Sequence, residues 1–430
     1  MSRTYDLVGV GIGPFNLSLA ALADPVIGLE TAFFDAEPEF SWHPGLLIEG
    51  TTLQVPFLAD LVTLADPTSR WSFLSYLREH DRLFPFYFAE KFHISRQEYE
   101  HYCRWVAGSL PSCRFGQRVT AVRWDSGDEL FRVETEDVTT GERSECAARQ
   151  VVLGVGTEPV VPEAFRDLVG VDVHHASEYL DRRKDLCAAE DVTVIGSGQS
   201  GAEVVLDLLG ELEGTGQRLR WYTRSRAFAP MEYSKLGLEH FTPDYTRYFR
   251  TLPQETRDRL VPQQWQLYKA GSASTLAAIH DLLYERGVGG RMPDATLMPN
   301  VAVTGARRVA DGIELDCHHA EQDCEFSVRT EKVVLATGFA ARRPSCLDPL
   351  VDVVDWDEQG RYQVGDDYRV ALHVPGSLYV QNAEMHTHGV GAPDLGLGAH
   401  RAASILNTAS GHALYPLPER TAYTTFGAAG

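Results

Sequence analysis

Three times along the chain a short apolar run stops at a turn of small residues. The first run is DLVGV, residues 6–10. It meets GIGPFN, and LSLAALA then continues with apolar residues at helical spacing. An unbroken apolar run predicts a strand covered on both faces, and recurrence every three to four residues predicts a helix. The order is strand, tight turn, helix. From Asp191 the pattern returns in DVTVIGSGQSGAEVVLDLL, with a strand, glycines at 196, 198 and 201, and an amphipathic helix. The third run is EKVVLATGFAARRP, residues 331–344, a strand entering Ala336-Thr337-Gly338. Between the last two, MEYSKLGLEHFTPDYTRYF and the helical STLAAIHDLLYER predict a small, mostly helical lobe over about 230–290.

Each glycine turn matches the chemistry of a dinucleotide site. Gly11 and Gly13 stand where the backbone must turn sharply and approach a pyrophosphate. The phosphates would rest on the helix N-terminus, which Pro14 opens and where free N–H groups favour anions. Asn16 takes the place of the usual third glycine. The next apolar run ends at Asp35, 24 residues after Gly11, where an acid can bind a ribose diol. The second turn, Gly196-x-Gly198-x-x-Gly201 with Gln199 and Ser200 opening its helix, is the cleaner match. The strand after it, LRWYT, leads into Arg224, Ser225 and Arg226 rather than a carboxylate. Arginine there suits the 2′-phosphate of NADP. Two such turns suggest a flavin at the first and a nicotinamide at the second. Small residues at 336–338 would let the chain return beneath a bound dinucleotide to an interrupted first domain.

Composition narrows the partners. The chain has 430 residues, 44% hydrophobic and 23% charged, which fits a soluble globular protein of at least two domains. Its net charge of −21 argues against nucleic acid or an anionic membrane and suits a cationic substrate. Seven scattered cysteines without a C-x-x-C predict no disulfide framework and no metal site, and point to a reducing cytoplasm. No signal peptide and no apolar run of 18 residues is found, so no membrane span is expected.

The motifs GVGIGPFNLSLAAL, FSWHPG, LQVPFLADLVTLADPTS, GSGQSGAE, ATGF and MHTHGVGAPDLGL together resemble the flavin-dependent N-hydroxylating monooxygenases of siderophore biosynthesis, the lysine/ornithine/diamine N-monooxygenase family. The resemblance spans nearly the whole chain. Phe339 stands where the family has Tyr, and Glu331 where it has Asp. The resemblance implies FAD reduced by NADPH, molecular oxygen as co-substrate, NADP⁺ kept bound as a shield, and a primary amine converted to an N-hydroxylamine. It places Gly11, Gly13, Asn16 and Asp35 on the FAD adenosine and pyrophosphate. Trp42 and His43 would lie along the flavin, with Gln54 beside the isoalloxazine; His43 and Gln54 are the catalytic candidates. The stretch His388-Gly389 to Leu395-Gly396-Leu397 would close over the ring with backbone N–H groups near its carbonyls. VHHASEYL, residues 173–180, resembles the linker of flavin monooxygenases. The family often forms dimers or tetramers, so a homo-oligomer is expected.

The expected fold is α/β with two doubly wound, Rossmann-like domains. Residues 1–165 and 330–430 would form a discontinuous FAD domain. Residues 166–329 would form an inserted NADP domain carrying the helical substrate lobe.

Two positions bear on the substrate. Relatives that hydroxylate ornithine or lysine carry a lysine, for the α-carboxylate, at the position of Ala59. Ornithine hydroxylases also use an asparagine at the position of Leu238. A buried carboxylate without a cation bears an uncompensated desolvation cost. The departures therefore point to a decarboxylated diamine, cadaverine or putrescine. L-lysine is the alternative if Lys235 or Lys269 supplies the clamp. A disulfide reductase, an NADPH oxidase, and a non-enzymatic flavin redox sensor or assembly subunit share the two-site pattern.

Overall fold

Two sheets carry the chain, and each is entered through a glycine turn. The structure, a computed structural model, describes residues 3–211, 216–290 and 294–428. The first sheet has eight strands. Its path runs Arg369–Val370, Ser377–Val380, Arg143–Leu153, Thr4–Val10, Thr31–Phe34, Cys113–Arg114. The antiparallel pair Gln117–Asp125 and Leu130–Asp137 extends from Arg143–Leu153. Thr4–Val10 has a parallel partner on each side, which is why its apolar run is unbroken. The second sheet has five parallel strands in the order Ala295–Met298, Arg218–Tyr222, Asp191–Ile195, Lys332–Leu335, Val173–His175.

Two details correct the expected division. Lys332–Leu335 pairs with Asp191–Ile195 and Val173–His175 in the second sheet, not with the first unit. Val333, Val334 and Leu335 are sealed on both faces, as an interior parallel strand requires. The chain therefore leaves the second sheet only after residue 335. VHHASEYL is likewise more than a linker: Val173–His175 is the edge strand of that sheet, and a 3₁₀ turn, Ala176–Glu178, follows.

The expected α/β class holds, and each sheet is covered on both faces. On one face of the first sheet, the helices Pro14–Ala23, Arg96–Ser109 and Gly398–Ser410 supply a core with Leu17, Tyr102, Val106 and Leu406. The other face is covered by the 3₁₀ segment Ser345–Leu350 and irregular chain around Val354, Tyr362 and Val364. The second sheet repeats this. The helices Gln199–Glu211 and Ala273–Arg286 cover one face. A three-stranded antiparallel meander, Val301–Val309, Gly312–His319 and Cys324–Thr330, covers the other through Ile313, Leu315 and Cys317. The lobe is helical, with Pro243–Thr251 and Gln254–Gln263, whereas Ala273–Arg286, expected in the lobe, packs on the second sheet through Leu276, Ile279 and Leu283.

Candidate active site

Both glycine turns open into one cleft of about 2560 Å³, larger than the ~300–1,000 Å³ that one small ligand needs. At the first turn, the Gly11 N–H donates to Phe34 O at 2.8 Å, closing the strand pair. Gly11, Gly13, Pro14 and Asp35 line the cleft. Asp35 accepts the Ile12 N–H at 2.7 Å and the Glu37 N–H at 3.0 Å, so it also fixes the turn. The helix Pro14–Ala23 starts at the cleft with no side-chain cap, leaving its first N–H groups for an anion.

Asn16 departs from expectation. It is fully buried and does not line the cleft. Its amide donates to Val10 O at 3.1 Å and Gly11 O at 2.8 Å, and its Oδ1 accepts Gln381 Nε2 at 2.7 Å. Its side chain braces the turn from behind because carbonyls at a strand end need donors.

The second turn repeats the first: the Gly196 N–H donates to Tyr222 O at 2.8 Å. Gly198, Gln199, Ser200 and Ala336-Thr337-Gly338 line the cleft. Gly196 and Gly201 sit behind it. A Cβ on Gly196 would lie 2.2 Å from Ala336 O, and one on Gly201 would lie 2.2 Å from Gly196 O. These two glycines exist for close packing, with Ala336 pressed onto the turn, and not for ligand contact. Arg224 lies on the cleft wall, and so does Lys269, whose pKa is lowered by burial and by the charge of Arg224. Among the described residues neither cation has a carboxylate partner. Two unpaired cations in a protein of charge −21 fit a phosphate.

Between the turns lies the segment around FSWHPG. Trp42 packs edge-on against Tyr99 and His43, and His43 against Phe339, at centroid distances of 5.2 to 5.4 Å. His43 faces the open cleft yet lies deep in the fold. That enclosure, with the Arg96 charge, lowers its pKa to about 4. Gln54 is held by Arg96: Nη2 donates to Gln54 Oε1 at 3.2 Å, while Nη1 pairs with Glu203 Oε2 at 2.7 Å. The Arg96 and Glu203 side chains are 11% and 3% exposed, a buried ion pair across the two sheets' units. Gln199 extends it, donating to Glu203 Oε1 at 2.7 Å and accepting the Ser272 N–H at 2.5 Å. Sequence patterns name Gln54 and Gln199 but not the Arg96–Glu203 pair that joins them.

The wall LQVPFLADL is built on Asp60. Its buried carboxylate accepts the N–H groups of Val62 (3.0 Å), Thr63 (2.6 Å) and Phe73 (2.7 Å), and the Thr63 hydroxyl (2.7 Å). These bonds hold a turn that presents Ala59, 5% exposed, to the cleft. Leu238 also lines it, from the 3₁₀ segment Gly237–Phe241.

The C-terminal stretch closes the cleft only in part. Leu395 and Gly396 line it; His388 and Gly389 do not. The His388 ring is buried, stacked on Tyr368 at 4.6 Å, and its pKa is driven well below normal by burial and then by Arg250. The Gly389 N–H donates to Met385 O at 2.9 Å and the Gly396 N–H to Asp394 Oδ1 at 2.7 Å. Both N–H groups are thus taken within the segment and are not free for flavin carbonyls. Asp394 lines the cleft too, and motif reasoning missed it.

All seven cysteines are free, and only Cys346 lines the cleft, its thiol pushed up to about 11 by burial. That arrangement does not serve dithiol chemistry. Among the described residues no cluster suits a metal ion, and no helix is long and apolar enough to cross a membrane.

Two dinucleotide-type turns facing one cleft, with an uncapped helix at one and unpaired cations at the other, define a two-nucleotide oxidoreductase class. Within that class the chain belongs to the L-lysine 6-monooxygenase/L-ornithine 5-monooxygenase family, whose model matches residues 3–341. It is 46% identical to the rhizobactin siderophore biosynthesis protein RhbE of Rhizobium meliloti, over 98% of this chain and 95% of that one. It is 41% identical to the putrescine N-hydroxylase of Shewanella oneidensis, over 98% and 84%. Among solved structures, the FAD-bound cadaverine monooxygenase DfoA of Erwinia amylovora superposes with a TM-score of 0.97 at 40% identity, covering 100% of this chain and 99% of that one.

Proposed function

We propose that the protein N-hydroxylates a primary aliphatic diamine, cadaverine or putrescine, for hydroxamate siderophore biosynthesis, using FAD, NADPH and molecular oxygen. The observation that carries the substrate class is Ala59. It stands buried on the cleft wall where a clamp for an amino acid's carboxylate would need a cation. Of the alternative clamps, both of which line the cleft, Lys269 stands beside Arg224 and Lys235 is exposed, whereas Ala59 is buried in the wall. The diamine specificities of the Shewanella and Erwinia relatives agree.

The residues divide the work. Gly11, Gly13, Pro14 and Asp35 would hold the FAD pyrophosphate and adenosine. Trp42, His43 and Gln54 would lie along the flavin, with Arg96 fixing the Gln54 amide. Gly198, Gln199, Ser200 and the Arg224–Lys269 pair would hold NADPH, and Thr337 and Gly338 the chain crossing beneath it. Ala59 and Leu238 would form apolar substrate wall. Bound FAD, reduced by NADPH, supplies the oxygen activation. The protein excludes water and delivers a neutral amine to it. A free alkylamine titrates near 10.4, so its burial must favour loss of the proton.

The seven free thiols support a reducing, cytoplasmic compartment. The helix Leu83–Ala89, LFPFYFA, buries none of its residues, and Phe84, Tyr87 and Phe88 stand more than 70% exposed. This supports a homo-oligomer; a light-scattering mass of one chain would refute it. We also assign the first sheet's unit to FAD and the second, with its helical lobe, to NADPH. The deciding assay supplies NADPH and oxygen with cadaverine, putrescine, L-lysine or L-ornithine and measures hydroxylamine against hydrogen peroxide. A diamine is expected to give coupled product; preference for L-lysine overturns the reading.

A further inference from the structure

The wall that lacks a cation carries an anion. Asp394 precedes the 3₁₀ turn Leu395–Leu397 and lines the cleft. Its Oδ1 accepts the Gly396 N–H at 2.7 Å, the Leu397 N–H also faces the carboxylate, and no ion pair engages it among the described residues. The charge acting on it is Arg401, which is already engaged. Arg401 Nη1 lies 3.0 Å from Glu384 Oε1, with both side chains fully buried, and Nη2 donates to Ala392 O at 2.6 Å. Burial raises the Asp394 carboxyl to about 6, against the Gly396 N–H, the Arg401 charge and the Leu397 N–H, so it is ionised at neutral pH with no cation of its own.

Gly396 brings Asp394 and Ala59 to one spot. A Cβ on Gly396 would lie 2.7 Å from Asp394 Oδ1 and 3.9 Å from Ala59 Cβ. The other carboxylates of the cleft are placed differently. Asp35 and Glu37 belong to the first glycine turn, with Glu39 close by. Asp258 is paired with Arg361 at 2.8 Å, and Glu232 is exposed and turned back to the Ser234 N–H at 2.6 Å.

We propose that Asp394 binds the distal, non-reacting ammonium of the diamine, a substrate-binding charge of opposite sign to the clamp that Ala59 lacks. The proposal rests on the diamine reading. It explains how a substrate with two amines is oriented: one stays protonated on Asp394, and the other, held away from any carboxylate, is free to lose its proton. A site built for that ammonium disfavours a monoamine, because the half-buried carboxylate on the cleft wall then loses its partner.

The test uses the FAD-loaded protein and the variant Asp394→Asn, which keeps an oxygen for the Gly396 N–H. Cadaverine and 1-aminopentane are compared by kcat/KM and by calorimetric binding, with NADP⁺ binding as control. The native protein is expected to prefer cadaverine strongly. The variant is expected to raise the cadaverine KM roughly 10- to 100-fold, bring the two amines close to parity and leave NADP⁺ binding unchanged. An unchanged KM and unchanged preference in the variant overturn the proposal while leaving the diamine reading intact. If the variant fails to fold, the native comparison decides: equal use of 1-aminopentane and cadaverine overturns the proposal. Native turnover of L-lysine in preference to both diamines removes the reading beneath it.

Discussion

At the residue scale, the substrate wall turns on a methyl group and a carboxylate. Ala59→Lys would set an ammonium beside Asp394 and pair with it. The expected result is a cadaverine KM raised at least tenfold, read by steady-state kinetics. His43 makes a separate prediction. With its pKa held near 4, it gains a proton only as pH falls through 4 and stays neutral from 6 to 9. A rise in rate between about 7 and 9 would then belong to the substrate amine. His43→Asn, tolerated at φ 49°, is expected to keep the slope of that pH profile, and a flattened profile would make His43 the titrating group. Ala59 was legible in the sequence because a family motif frames it. Asp394 was not: APDLG has the look of any polar turn, and its neighbour Ala59 lies 335 positions earlier in the chain.

At the element scale, the glycine turns were readable because a sharp strand-to-helix turn leaves few residue choices. The antiparallel meander over 301–330 was not, since a bulge between Val303 and Gly305 and the successive exposed Arg307 and Arg308 break the two-residue alternation of its first strand. Asn16 was misjudged for a related reason. Its place in the glycine pattern says where its Cα lies, not that its amide turns inward to the strand end. Docking of one motif on another is also invisible along the chain. The 3₁₀ turn Pro44–Leu46 of FSWHPG packs on the turn Ala176–Glu178, and a Cβ on Gly45 would lie 1.9 Å from Ser177 O. Backbone cannot yield as a side-chain tip can. Gly45→Ala is expected to cost about 1–3 kcal/mol in urea unfolding and to weaken FAD retention. Native stability in that variant would mean that the two turns separate freely.

At the scale of the molecule, the two units meet through a buried charge pair. Glu203→Leu would leave Arg96 buried with only the Gln54 amide, at a cost of about 3–5 kcal/mol. The expected readout is a lower melting temperature and a larger share of hydrogen peroxide over hydroxylamine, as Gln54 loses its brace. Unchanged stability would show that the pair is solvated in solution.

The amide of Asn16 has one further consequence. It caps the carbonyls of Val10 and Gly11, and Gln381, 365 residues later, grips it in turn. The neighbouring strand Ser377–Val380 joins the same sheet. At a translation speed of about 5–20 residues per second, the N-terminal turn must wait on the order of 20–70 s on the ribosome for its last brace. Flavin can therefore be captured firmly only by a chain that is nearly finished, so nascent fragments should emerge colourless and dependent on chaperones.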